Sequence, residues 1–68
     1  MRNIIKQLRK DAGLRQEDLA NQVGVSRQTI IAVENDKYDP TLELAMKLAS
    51  ALDKKVEDIF FLDNENNF

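Results

Sequence analysis

The sequence predicts an all-helical domain made of five short helices. Apolar residues recur at helical spacing in five segments, and a glycine, a proline or a polar turn separates each segment from the next. Three of the predicted helices have only about two turns, a length that is not stable alone in water. Because each helix then depends on its neighbours, residues 1–62 are expected to pack as one compact domain, followed by a polar tail at residues 63–68.

The helix boundaries follow from residues that start or end helices. Gly13 and Gly24 stand where a left-handed residue would end the first and second helices, while Ser26 and Thr41 are suitable N-caps for the third and fourth. Pro40 closes a polar turn before the fourth helix. We therefore predict helices over about residues 3–12, 16–23, 27–35, 42–52 and 56–61. The expected apolar faces include Ile4, Ile5, Leu8 and Ala12 in the first helix, Leu42, Ala45, Leu48, Ala49 and Leu52 in the fourth, and Val56, Ile59 and Phe60 in the fifth.

The composition excludes several classes of function. The chain has no cysteine and no histidine, so disulfides, the usual zinc sites and the nucleophile–base pairs that need these residues have no candidates. Carboxylates are scattered and no phosphate-binding loop is present, which argues against an enzyme and predicts neither a cofactor nor a metal. No long apolar run indicates a signal peptide or a membrane span, so a cytoplasmic protein is expected.

Charge is distributed unevenly along the chain, whose net charge is −2 at pH 7. Residues 1–37 carry seven Lys/Arg against five Asp/Glu, whereas residues 38–68 carry three against seven. Because salt screens charges over roughly 8 Å, a basic face in the first half can act despite an acidic far side. We still expect weaker non-specific affinity for nucleic acid than a uniformly basic domain would have.

Residues 16–35 contain the pattern of two helices that cross through a tight turn. Ala20 provides the small side chain needed where two helix backbones approach closely. Gly24 accepts the positive φ of the reversal at little cost. Ile30 and Val33 then fill the corner against apolar residues of the preceding helix and turn. This arrangement is typical of a helix-turn-helix, whose second helix enters the major groove of DNA.

Three stretches around this corner carry a resemblance to a known family. They are Gly-Leu-Arg-Gln-Glu-Asp-Leu-Ala at residues 13–20, Val-Gly-Val-Ser-Arg-Gln-Thr-Ile at 23–30 and Glu-Asn-Asp-Lys-Tyr-Asp-Pro at 34–40. Together they closely resemble the Cro/repressor-type helix-turn-helix (XRE) family, and most of all its short bacterial or phage regulators. The resemblance extends over about residues 3–61. It implies a compact five-helix, lambda-repressor-like domain that binds double-stranded operator DNA as a homodimer.

The start of the third helix is the expected base-reading face. Arg27 can bridge guanine O6 and N7, and Gln28 can bridge adenine N6 and N7. A phosphate contact is the alternative for Arg27. Thr29 and Ala32 lie on or near the same face, where each either packs on a thymine methyl group or is an ordinary surface residue.

A second set of residues is expected to contact DNA phosphates. Gln16 opens the second helix, where free amides and the helix dipole favour an anion. By resemblance, its side chain contacts a phosphate and also braces Gln28. Asn35, Lys37 and Tyr38 resemble the family's second phosphate-contacting loop, and a helix C-cap is a compatible role for Asn35.

Two positions depart from the family pattern. Arg15 and Lys55 stand where the second and fifth helices usually have a small N-cap residue. These two helix ends are therefore expected to be frayed or capped in another way. Arg15 is expected to add a phosphate contact, and Ser26 belongs to the same phosphate-contacting set.

Arg9 and Glu34 are expected to form a structural ion pair. The family places an arginine of the first helix against a glutamate at the end of the third, and this chain has both residues. Breaking such a pair when it is partly buried costs more than forming it contributes.

Phe61, Leu62 and Phe68 exceed what a core of this size requires and are candidates for the dimer interface. The first four helices already close the core, so these residues are expected to be apolar surface without a partner inside the chain. Two copies are needed because one recognition helix reads too few base pairs to select a site. Residues 60–62 either pair with their two-fold mate as extended chain or pack as a helix end, and the sequence does not decide which.

The function that these features predict is sequence-specific regulation of transcription, with a repressor that occludes a promoter by binding a palindromic operator. The alternative is a protein-interaction module of the antitoxin type, which also binds DNA. A dedicated toxin-binding segment would usually need more chain than residues 63–68 provide, which favours the simple regulator.

Overall fold

The computed structural model describes residues 1–62, and Phe68 lies outside them with the rest of the predicted tail. Within this part of the chain five helices occur in the predicted order, with one short strand near each end. The elements are β1 (Arg2–Asn3), α1 (Ile5–Asp11), α2 (Gln16–Val23), α3 (Arg27–Glu34), α4 (Leu42–Ala51), α5 (Val56–Ile59) and β2 (Phe60–Phe61). The predicted five-helix class is confirmed. No helix in this range is long and apolar enough to cross a membrane.

Side-chain caps start α3 and α4. The Ser26 hydroxyl accepts the backbone N–H of Thr29 at 3.2 Å, and the Thr41 hydroxyl accepts that of Leu44 at 3.2 Å. Both bonds satisfy amides that have no partner within their own helix. The two predicted caps are confirmed, and each stabilises its helix by about 1 kcal/mol.

A residue with positive φ follows each of helices α1 to α4 within two positions. The next residue then donates its N–H to a carbonyl in the last turn, which closes the helix end. Gly13 and Gly24, with φ of 73° and 76°, end α1 and α2 as predicted, whereas Asp36 and Asp53, with φ of 59° and 56°, end α3 and α4. A Cβ at Gly24 would meet nothing within 4 Å. The backbone conformation, and not a lack of space, therefore requires glycine there.

The core is formed by apolar side chains from all five helices. Leu19 in α2, Ile30 in α3 and Leu48 in α4 have no exposed surface, whereas Leu8 of α1 is only partly buried. Helix α2 packs against both α3 and α4, and α4 packs against α5. The other fully or almost fully buried large side chains are Ile5, Val33 and Ile59. Burying each such side chain contributes about 1.5–3 kcal/mol, so the short helices are held by this shared core.

The apolar face of α4 differs from the predicted one at its start. Leu44 is buried and begins the buried face, whereas Leu42 is 73% exposed. The predicted inward position of Leu42 is wrong because the face follows residues 44, 45, 48 and 49, and the first residue of the helix lies at its edge. Ile4 was also expected on a buried face but is 40% exposed, since it precedes the first turn of α1.

The two ends of the described chain form a small antiparallel sheet. Arg2 pairs with Phe61 and Asn3 with Phe60, and the Ile4 N–H donates to the Ile59 carbonyl at 3.1 Å. The prediction of helix over residues 56–61 is therefore wrong at its end, as is the predicted start of the first helix at Asn3. Aromatic residues fit a paired strand well, and here the chain start supplies the partner strand.

Candidate nucleic-acid interface

The helix-turn-helix corner presents the start of α3 as an exposed face. Ala20 is 2% exposed where α2 meets α3, and Ile30 is fully buried behind the corner. On the outer side, Arg27 and Gln28 are exposed in the first turn of α3. Among residues 1–62, neither side chain forms a hydrogen bond with the protein. Both donor groups therefore remain available for a ligand that approaches this face.

Ser26 and Thr29 use their hydroxyl groups at the start of α3. The two oxygens lie 3.0 Å apart, and the Ser26 hydroxyl also accepts the Thr29 N–H. Thr29 is half-buried, as is Ala32 one turn later. The hydrogen bond between the two hydroxyl groups orders the start of α3. Arg27 and Gln28, the candidates for base reading, therefore lie in an ordered first turn.

A network centred on Glu34 connects α1, α2 and α3. Its Oε2 accepts Arg9 Nε at 2.6 Å, and its Oε1 accepts Arg9 Nη2 at 3.3 Å and Gln16 Nε2 at 3.1 Å. The side chains of Arg9 and Glu34 are 8% and 2% exposed. Arg9 Nη1 also donates to the Leu14 carbonyl at 2.9 Å. Arg9 is thus committed inside the protein and is not available to a phosphate.

Gln16 has a different partner from the expected one. The resemblance implied a brace between Gln16 and Gln28, whereas the carboxamide of Gln16 donates to Glu34. This bond orients the side chain of Gln16, which is the first residue of α2 and lies beside the free backbone amides of the helix start. A groove lined in part by Gln16, Arg15 and Arg27 brings the start of α2 next to the start of α3.

Arg15 precedes α2 and is engaged with acidic neighbours. Its backbone N–H donates to Asp18 Oδ2 at 2.8 Å, and its guanidinium contacts both Asp18 and Glu17. The side-chain hydrogen bond from Arg15 holds the pKa of Asp18 below its ordinary value. Asp18 thereby closes the start of α2 in place of a small capping residue. At Lys55, by contrast, no side-chain cap starts α5.

The segment after α3 carries Asn35, Lys37 and Tyr38 on the surface, and all three are exposed. Asn3 anchors this segment, because its Nδ2 donates to the Val33 carbonyl at 2.8 Å and to Asp36 Oδ1 at 3.2 Å. Sequence reasoning missed this role of Asn3. An asparagine near the chain start carries no local sign that it bonds to the end of α3.

The C-terminal interface candidates lie in different environments. Phe61 is half-buried and its backbone pairs with Arg2, so the expectation that it has no partner inside the chain is wrong. Leu62 is 60% exposed, and Phe68 lies outside the described residues. Leu62 is therefore the exposed candidate at this end of residues 1–62, where Ile4 is also 40% exposed.

Comparisons with known proteins agree with this geometry. A family model for the helix-turn-helix matches residues 5–59. An uncharacterized HTH-type transcriptional regulator of Methanothermobacter thermautotrophicus is 53% identical over 66 residues, which cover 96% of each chain. The HTH-type regulator YgzD of Bacillus subtilis is 47% identical over 97% of this chain and 100% of its own length.

Two solved structures give the same result. The restriction-modification controller protein C.AhdI of Aeromonas hydrophila superposes with a TM-score of 0.77 at 36% identity, and the match covers 82% of this chain and 85% of that chain. The biofilm regulator SinR in complex with DNA superposes with a TM-score of 0.72 at 30% identity, covering 78% of this chain and 86% of that chain. These matches confirm the family resemblance seen in the sequence.

Proposed function

This chain belongs to the helix-turn-helix family of DNA-binding transcriptional regulators, and we propose that it is a repressor that binds a palindromic operator as a homodimer. It acts by occupying a promoter in the cytoplasm, without a cofactor and without catalysis. The observation that carries this proposal is the exposed Arg27–Gln28 pair at the start of a capped α3, whose side chains form no hydrogen bond with the rest of residues 1–62.

The two side chains have the chemistry for reading base edges. Arg27 bridges O6 and N7 of guanine, and Gln28 bridges N6 and N7 of adenine. Thr29 and Ala32 add apolar contact with thymine methyl groups on the same face. A helix that is ordered before it meets DNA loses little conformational freedom on binding, which supports specific recognition by this face.

Phosphate contacts flank the reading helix on both sides. On one side, the carboxamide of Gln16, which donates one hydrogen bond to Glu34, offers its second amide hydrogen to a phosphate. The free backbone amides at the start of α2 lie beside it and favour the same anion. On the other side Lys37 and Tyr38, with the carboxamide of Asn35, face the backbone from the loop after α3. Ser26 adds a contact between the two.

The homodimer follows from the small size of the reading surface. One recognition helix contacts too few base pairs, and a two-fold axis places a second helix about 34 Å away over the other half-site. The C-terminal end remains the proposed interface, with Leu62 exposed and Phe61 next to it in the chain. Phe68, the third candidate, lies outside the described residues. The sheet order leaves the second edge of β2 unpaired within residues 1–62, which supports extended pairing of β2 with its two-fold mate.

The central test is to sequence the DNA that co-purifies with the protein from cells. We expect one enriched palindromic site, and Gln28→Ala should weaken binding to it by about 1–3 kcal/mol while affinity for random DNA changes little. The matched control is Gln22→Ala, which removes an exposed glutamine in the last turn of α2 and should bind as the parent does. Equal losses of Gln28→Ala on operator and random DNA would remove base reading from Gln28. A stoichiometric protein complex with no enriched DNA site would favour the antitoxin-type module.

The dimer is tested by sedimentation of the intact protein and of Leu62→Asp. Because a charge at an apolar two-fold contact is repeated on both subunits, the variant should dissociate at concentrations where the parent is a dimer. A parent that sediments as a monomer at micromolar concentration, or a variant that remains an undiminished dimer, would rule out this interface.

A further inference from the structure

The first turn of α2 carries two acidic residues beside the amides that we propose to face a DNA phosphate. Glu17 and Asp18 are the second and third residues of the helix. Both charges suit the helix, since carboxylates are stabilised at its positive end. Asp18 also accepts the Arg15 N–H, which closes the helix start. For DNA binding the same two charges are unfavourable, because the approaching phosphate is negative.

Arg15 contacts both of these carboxylates. Its Nε and Nη2 donate to Asp18 at 3.2 and 3.3 Å, and its Nη1 lies 3.2 Å from Glu17 Oε1. The side chain of Arg15 is 75% exposed and that of Glu17 is 54% exposed. Ion pairs this exposed contribute little to folding stability. Because they lie beside the proposed phosphate contact, their charges bear on DNA binding more than on folding.

We propose that Arg15 is a positioning residue for DNA binding: it neutralises Glu17 and Asp18 and so allows the start of α2 to approach a phosphate, without a phosphate contact of its own. This inference rests on the proposed DNA-binding function. It replaces the contact expected from the sequence, because the guanidinium already uses three of its nitrogens on carboxylates. The family's small N-cap residue brings no such charge, so the arrangement is a feature of this chain.

The test compares Arg15→Ser, Arg15→Lys, Glu17→Gln and the double variant Arg15→Ser/Glu17→Gln on the enriched DNA site. Serine supplies a side-chain cap, so Arg15→Ser keeps the helix start. Losing one neutralising charge about 7 Å from a phosphate should weaken binding about two- to threefold per half-site. Glu17→Gln should tighten binding by a similar factor, and both the double variant and Arg15→Lys should bind about as the parent does. Glu57→Gln, the same charge change in α5, is the matched control and should leave the affinity unchanged.

The salt dependence separates neutralisation from direct contact. A residue that contacts a phosphate contributes about 0.9 to the slope of log K against log salt concentration. We expect Arg15→Ser to retain the slope of the parent. If the slope of Arg15→Ser falls by about 0.9 and adding Glu17→Gln does not restore it, Arg15 contacts a phosphate directly and the proposal is overturned. An Arg15→Ser variant with unchanged affinity would also overturn it. Failure of the parent protein to select any DNA site would refute the proposed function itself, before the variants are compared.

Discussion

Removing one partner of the Arg9–Glu34 pair should destabilise the domain severely. Both side chains are less than one-tenth exposed, and their shortest contact is 2.6 Å. Breaking a buried pair by removing one side chain costs about 3–5 kcal/mol, because the remaining charge is buried without its partner. A chain of 68 residues has a total stability of only about 3–10 kcal/mol. Arg9→Met or Glu34→Leu should therefore remove a large part of it.

The double variant provides the decisive comparison. With both charges gone, the apolar side chains pack against each other, and no unpaired charge stays buried. The double variant still loses the Arg9 bond to the Leu14 carbonyl and the Glu34 bond to Gln16, so recovery should be partial. We expect its loss to be smaller than the sum of the single losses by about 2 kcal/mol or more.

Circular dichroism melts of the four proteins measure these losses. A loss of about 3 kcal/mol lowers the Tm of a domain this small by about 12–24 °C. If a single variant is unfolded at room temperature, an osmolyte that strengthens burial restores a measurable transition. The control is Lys47→Met, which breaks the exposed pair with Glu43 and should leave the Tm almost unchanged. Single variants that melt close to the parent, or strictly additive losses, would refute the reasoning.

The remaining predictions concern two helix ends, one proposed phosphate contact and the pKa of Asp18. Gly24→Ala should lower the free energy of unfolding in urea by about 1–2 kcal/mol, because a residue with a side chain adopts φ of 76° only at a cost, although space for the side chain is free. Asp53→Gly should raise the free energy of unfolding by about 0.5–1 kcal/mol, because glycine adopts the positive φ there without this cost. If both variants changed the stability in the same direction, this account would be contradicted. Lys37→Ala should weaken binding to all DNA sequences about equally and lower the salt slope by about one unit, and an unchanged slope would place Lys37 off the phosphate backbone. The pKa of Asp18, measured by NMR titration, should lie below its ordinary value. The carboxylate of Asp18 therefore stabilises the folded protein at pH values above its unfolded-state pKa, and this stabilisation is lost as the pH falls through its folded-state pKa. Arg15→Ser should raise that pKa only in part, because the backbone N–H of residue 15 still donates to the carboxylate.

The parts of the fold that sequence predicts well are those with local causes. Ser26 and Thr41 are N-caps because their hydroxyls reach amides three residues ahead. Gly13 and Gly24 end helices because glycine adopts positive φ readily. Each signal lies within one helical turn of the structure that it determines. The predicted bounds of α2, α3 and α4 are accurate for this reason.

The parts of the fold that the sequence does not predict depend on residues far apart in the chain, or on backbone conformations that residues other than glycine rarely adopt. Phe60 and Asn3 pair from opposite ends of the chain, so no window of sequence contains both strands. Asp36 and Asp53 adopt positive φ with a side chain present, which glycine-based reasoning does not identify. Leu42 fits the helical period, but its exposure depends on where α4 extends past the core.

In the candidate site, too, the sequence predicts the features with local causes and not those that depend on distant residues. The exposed position of Gln28 follows from its place in the first turn of a capped helix, whereas the partner of Gln16 is known only from the three-dimensional arrangement. Glu34 accepts bonds from both Gln16 and Arg9, so one buried carboxylate serves the proposed phosphate contact and the stability of the core. Asn3 similarly ties β1 to the segment that carries Lys37. Because these anchors come from elements far apart in sequence, the proposed DNA-binding surface is assembled only when the whole domain folds. A stability loss at Arg9 or Glu34 should therefore reduce DNA affinity, although neither residue is proposed to contact the DNA itself.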